Sequence, residues 1–155
     1  MLLGVIADTH GRFDPALPRL FRGVDTIVHA GDIGRLEVIA ALEAIAPVLA
    51  VEGNNDAFGR YPVERQAELG GRRIYLRHIF GELHQLRRAH RELLDRLRPD
   101  VVIFGHSHRP YRAVLGATLL FNPGGAGPRR FSLPRTVGLL RLGPDGADAR
   151  HLALD

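Results

Sequence analysis

Seven residues of this chain stand out by type and placement as candidate cation ligands: Asp8, His10, Asp32, Asn54, His78, His106 and His108. Six of them sit in four short segments, Asp8-Thr9-His10, Gly31-Asp32, Gly53-Asn54-Asn55-Asp56 and Gly105-His106-Ser107-His108, each just after an apolar run. Carboxylate, amide and imidazole donors gathered from several strand ends make a pocket suited to divalent ions that activate water. A structural metal clip more often uses thiolates, and this sequence has no cysteine. The pattern predicts a site for two metal ions.

Each segment also has an ordinary reading. Asp-x-His is common by chance. Asp32 has two oxygens able to bridge two cations, but it also stands where it could cap a helix starting near Leu36. Asn54 adds a neutral amide oxygen, and Gly-Asn-Asn-Asp is equally good turn chemistry. His106 and His108, directly after Val101-Val102-Ile103-Phe104-Gly105, read as ligands. His78 closes Ile74-Tyr75-Leu76-Arg77 and is placed to complete a second ion's shell. His29, beside Asp32, reads as support for a ligand, while His84, His90 and His151 read as core or surface histidines.

The elements that must position these groups are strand-like runs at Leu2 to Ala7, Thr26 to His29, Val48 to Val51, Ile74 to Leu76 and Val101 to Phe104. Helical patterns lie between them. Asp14-Pro15 reads as an N-cap with proline in the first turn, Leu36 to Ala46 has helical apolar spacing, and Glu82 to Leu97 is amphipathic. Further strands are expected at Tyr111 to Leu115, Thr118 to Phe121, Thr136 to Leu142 and Ala149 to Leu154, with a mobile Pro/Gly loop from Asn122 to Pro134. Alternation first and strands later predicts an α/β fold of two mixed β-sheets packed face to face with helices outside. The ligand segments then fall at strand C-terminal ends, where α/β sheets bind ligands.

At 155 residues, residues 1–155 are expected to form a single domain. Hydrophobic content of 45 % and charged content of 25 % fit a soluble globular chain without a membrane span. The first residues carry no positive leader and run straight into Asp8, so secretion is not expected and a cytoplasmic location is. All 21 basic residues are arginine, giving a formal net charge of +4. They are dispersed instead of forming a basic arm, so nucleic acid is not an expected partner. Arg12, Arg109, Arg129 and Arg130 lie near the ligand segments or the Pro/Gly loop and are candidates for substrate recognition.

In order and spacing, Asp8/His10, Gly31-Asp32, Gly53-Asn54 with Asp56, His78, and Gly105-His106 with His108 resemble the calcineurin-like metallophosphoesterase superfamily, most closely its small YfcE-type phosphodiesterase branch. Asn122-Pro123-Gly124-Gly125 is similar to the Asn-Pro-Gly-Ser segment of that branch, with Gly125 in place of serine. The resemblance spans nearly the whole chain and implies a four-layer αββα sandwich. It implies one ion on Asp8, His10, Asp32 and His108 and another on Asp32, Asn54, His78 and His106, with catalysis by Asp8, Asp32, Asn54 and His106. A hydroxide bridging the two ions would attack a small phosphodiester. Manganese is the first expectation, with iron, zinc or nickel compatible. Two positions differ from the family pattern: Asn55 stands where larger relatives have a histidine that protonates the leaving group, and Ile79 follows His78 where glycine is usual. The alternative is a noncatalytic scaffold of the same fold that binds a protein partner, as the retromer's metallophosphoesterase-like subunit does; a homo-oligomer is compatible with either.

Overall fold

In β1 (Leu2–Ile6) alternate side chains point to opposite faces, so Leu3 and Val5 enter one core while Ile6 enters another. The computed structural model describes the whole chain, Met1–Asp155. After β1 come a short helix α1 (Leu17–Leu20), β2 (Thr26–His29), α2 (Leu36–Glu43) and β3 (Val48–Ala50). An antiparallel pair follows, β4 (Glu64–Leu69) and β5 (Arg72–Arg77), then a 3₁₀ turn at Leu83–Gln85, α3 (Arg88–Leu97) and β6 (Val101–Ile103). The chain closes with β7 (Pro110–Leu115), β8 (Thr118–Pro123), β9 (Thr136–Gly143) and β10 (Gly146–Ala153).

These strands make two mixed five-stranded sheets, ordered β10-β9-β1-β2-β3 and β4-β5-β6-β8-β7. In the first, β1, β2 and β3 are parallel; in the second, β5, β6 and β8 are parallel. Between the sheets lies a core of Leu3, Val5, Val28, Ile74, Leu76, Val101, Ile103 and Phe121, among others. On the outside of the first sheet, Phe21 and α2 residues Val38, Ile39 and Leu42 cover Ile6 and Ile27. On the outside of the second, Leu94 of α3 covers Tyr75, Val102 and Leu120. Helix, sheet, sheet and helix are therefore stacked as four layers, each apolar face covered by the next.

Several boundaries differ from the sequence expectation for local physical reasons. Asp14-Pro15 does not cap a helix: Asp14 Oδ1 accepts the Ala16 N–H, and α1 starts later with Pro18 in its first turn. The pattern from Leu36 to Ala46 stops as helix at Glu43. Glu82 to Leu97 is split, because Glu82 and Gln85 cap each other around a single 3₁₀ turn and Leu86 and Arg87 are extended before α3 begins. The last strand starts at Gly146, not Ala149, since β9 and β10 pair through their full hairpin. Strand β4 has no apolar alternation and is specified by pairing with β5 along a half-exposed edge. The Pro/Gly loop is shorter than expected. Asn122 to Gly127 is buried and bonded, with Ala126 N–H on Ala7 O and Gly127 N–H on Asp8 O, so the exposed stretch begins at Pro128.

Candidate functional site

All six parallel strands end at one edge of the sandwich. Asp8 follows β1, Asp32 follows β2, Asn54 follows β3, His78 follows β5, His106 and His108 follow β6, and the Gly124-Gly125 turn follows β8. The fold thus gathers the seven expected residues at one place, from both sheets. Asp8, His10 and His108 present donor atoms mutually within 4.8 Å, as do Asp32, His78 and His106. His10 Nε2 lies 3.7 Å from Asp32 Oδ2, and His78 Nε2 lies 3.4 Å from that same oxygen, so Asp32 stands between the two groups. Asn54 Oδ1 meets His106 Nδ1 at 3.0 Å.

Backbone conformation explains how such short segments converge. Asp8, His10, Asp32, His106 and His108 all have positive φ, between 46° and 71°. Left-handed backbone at a non-glycine residue costs on the order of 1–3 kcal/mol and persists only where neighbours hold it. Here Asp8 N–H bonds Gly31 O, His10 N–H bonds Asp32 O, Gly105 N–H bonds His78 O and Gly125 N–H bonds His108 O. Close approach adds to this. A Cβ on Gly53 would stand 2.2 Å from Asp32 Oδ1, and one on Gly125 would stand 2.7 Å from His108 Nδ1, so the glycine at the serine position makes room for that imidazole.

A set of supporting bonds aims the donors. Asn55 donates to Asp32 twice, from its backbone to Oδ1 at 2.9 Å and from Nδ2 to Oδ2 at 2.7 Å. Asp56 accepts the N–H groups of Ile33, Gly34 and Gly53, tying the loops after β2 and β3 together. The fully buried His29 accepts the Gly31 N–H at Nδ1, so its Nε2–H donates to Thr9 Oγ1, whose hydroxyl donates to Ile33 O. Sequence reasoning placed His29 beside the ligands and took Asp56 into the motif, but did not resolve the supporting bonds of Thr9 or Asn55. Their signal is only their adjacency to ligand segments. His84 pairs with Glu82, His90 caps α3 and His151 bonds Asn122 O, so these three stand outside the cluster.

Burial sets the electrostatics of the cluster. His78 Nδ1 donates to Ala30 O at 2.7 Å, which turns Nε2 toward Asp32 and Asp8. That Nε2 and Asp8 Oδ1, 3.8 Å apart, are the two buried side-chain polar atoms without a hydrogen-bond partner. Burial pushes the Asp8 carboxyl up to about 7, despite the neighbouring His78 charge. Burial raises Asp32 too, yet the nearby His78 imidazole and the bonds from Asn55 outweigh it and hold this carboxyl below its ordinary range. Burial lowers His10, His106 and His108, the last to about 4, leaving neutral imidazoles with lone pairs to offer. His10 Nε2 and His108 Nε2 face each other at 3.2 Å. Two carboxylates, four imidazoles and an amide oxygen, without sulfur, match divalent transition ions.

Of the four candidate arginines, Arg129 pairs with Asp155 and Arg12 approaches Asp14. Arg109 is exposed without an ion pair. Arg130 is also exposed and unpaired, and its positive charge acts on Asp8, His10, His106 and His108.

The model of the calcineurin-like phosphoesterase superfamily domain matches residues 1–144. The chain belongs to that superfamily. A protein of Methanothermobacter thermautotrophicus named "probable metallophosphoesterase" is 36 % identical over 160 residues, covering 96 % of this chain and 90 % of its own. The structure described as a novel archaeal phosphodiesterase superposes with a TM-score of 0.78 at 23 % identity, covering 99 % of both chains. Wild-type Vps29 of Entamoeba histolytica complexed with Zn²⁺ superposes with a TM-score of 0.77 at 22 % identity, covering 100 % of both. At such identities these two structures establish the shared fold. Membership of a phosphoesterase superfamily agrees with a donor set suited to metal ions. No helix is long and apolar enough to cross a membrane.

Proposed function

We propose that residues 1–155 act as one cytoplasmic domain, a metal-dependent phosphodiesterase that holds two divalent ions and hydrolyses a small phosphodiester. One ion would be held by Asp8, His10, Asp32 and His108, and the other by Asp32, Asn54, His78 and His106. The observation that carries this reading is the pair of buried orphan atoms, Asp8 Oδ1 and His78 Nε2, facing each other across the cluster. Leaving such groups unpaired costs about 1–3 kcal/mol each, and more when charged, unless a ligand satisfies them. When bound, the ions supply Lewis-acid charge for the phosphoryl oxygens and lower the pKa of water.

The chain's own residues do the positioning. Asn55 fixes Asp32 between the two groups, and the Ala30 carbonyl fixes His78. Arg130 is placed to add positive charge where a phosphate would sit. Asn55 is engaged with Asp32 and has no acidic proton, so it does not protonate the leaving group. Esters with acidic alcohols, such as aryl phosphodiesters, are therefore the favoured test substrates. Manganese is the first metal to add, with iron, zinc and nickel as comparisons.

Hydrolysis of an aryl phosphodiester and an aryl phosphomonoester with added Mn²⁺ tests this reading. Wild type should turn over the diester, and Asp32→Asn and His106→Ala should each lower the rate by at least about a hundredfold, as expected when transition-state charge stabilisation is lost. Equal rates for all three proteins would reject it. The scaffold reading draws on the likeness to Vps29. It gains if metal-loaded protein is inert across a phosphodiester panel yet captures a protein partner.

A further inference from the structure

A cleft of about 410 Å³ opens directly beside His106 and Ser107, its other walls including Ile79, Phe80, Gln85, Arg87 and His90. Its size falls within the roughly 300–1,000 Å³ of small-molecule pockets. A larger cleft of about 600 Å³, lined by Arg73, Asp100 and Thr118, shares no residue with the cluster, and Asp100 and Thr118 mark the opposite ends of β6 and β8. The cleft beside His106 has an uncovered apolar ledge. Ile79 directly follows the buried His78 yet is 48 % exposed, while Phe80 behind it is buried against Phe104.

Donors surround that ledge. Gln85 Oε1 accepts the Glu82 N–H, leaving the amide NH₂ free, and Arg87 makes no ion pair. His90 packs edge-on against Phe80 at 5.1 Å and accepts the Arg87 N–H at Nδ1, so its Nε2 carries the remaining proton. A flat ring could rest on Ile79 while its carbonyl or hydroxyl acceptors meet these donors. A plain alkyl arm would desolvate the donors without pairing them, at a cost.

We propose that this cleft receives the nucleoside arm of a small phosphodiester whose phosphate lies at the Asp8–His108 cluster. The proposal rests on the phosphoesterase reading for the place of the phosphate, and on the cleft itself for the arm. Ile79, which stands where the family pattern has glycine, becomes the specificity residue.

Methyl-labelled NMR on zinc-loaded protein, titrated with thymidine 5′-monophosphate or with methyl phosphate, tests it without turnover. The Ile79 methyl resonance should move with the nucleotide and stay still with methyl phosphate. Ile79→Ala should weaken nucleotide binding by about tenfold, the scale of a lost apolar contact in a pocket, and leave methyl phosphate binding unchanged. A nucleotide that leaves Ile79 unmoved, or a variant that weakens both ligands alike, overturns the proposal. If no phosphodiester is hydrolysed, the catalytic reading falls, and the NMR result still decides the cleft.

Discussion

Asn55 donates to Asp32 from both its backbone and its side chain, so one residue orients both oxygens of the carboxylate shared by the two donor groups. Asn55→Ala keeps the backbone bond and removes the other. Because Asn55 is exposed, the metal-free melting temperature should change little, whereas manganese affinity should fall about 10–100-fold, the usual effect of losing a bond that orients a ligand. Calorimetric titration of wild type and variant gives the comparison; unchanged affinity would make the clamp idle. At this scale the sequence was informative about donors and poor about their supports. Asp8, His10 and His106 announce themselves by type and spacing. Asp56 reads equally as a positioning residue or a turn residue, and the fold reveals that its carboxylate joins two loops by accepting three N–H groups.

At the scale of elements, buried strands were legible because their apolar runs leave few alternatives, as in Val101–Ile103. Strand β4, Glu-Arg-Gln-Ala-Glu-Leu, carries no such signal, since an edge strand is defined by the hydrogen bonds of its neighbour. The end of α3 gives a sharper case. Arg98 terminates the helix with φ of 46°, a conformation that glycine adopts without a Cβ penalty. Arg98→Gly should therefore stabilise the protein by about 0.5–1 kcal/mol. Chemical denaturation with an unchanged slope checks it, and a lower midpoint would mean that the arginine side chain contributes more than its backbone costs.

At the scale of the molecule, Arg135 links distant parts of the chain. Its guanidinium bonds Asp14 at 2.7 Å, Asp155 at 2.8 Å, and the carbonyl oxygens of Ala126 and Gly127, the segment that bonds Ala7 and Asp8. Burial alone would raise the Asp14 carboxyl; the Ala16 N–H and Arg135 lower it below its ordinary value. A depressed folded pKa means that this contribution is complete above the unfolded value, about pH 4, and is lost as pH falls through the folded one. Asp14→Ala should cost about 1.5–3 kcal/mol at neutral pH, the worth of a hydrogen bond to a charged group, since Arg135 keeps Asp155 as counter-ion. The difference from wild type should shrink on acidification, measured by denaturant melts across pH 7 to 3. Metal addition is a separate test: manganese at about 100 times its dissociation constant should stabilise the fold by about 2.7 kcal/mol, reversibly with a chelator.

The donor set is divided between the layers, with Asp8, His10 and Asp32 on loops of one sheet and His78, His106 and His108 on loops of the other. A cation shared among them would act as a rivet through the rim of the sandwich. Loading should therefore tighten that rim and leave the opposite end as it is. Amide hydrogen exchange should accordingly slow at Asp8 and Gly105 on loading and stay constant at Leu119, so that the protein reports its own occupancy as the tightness of one seam.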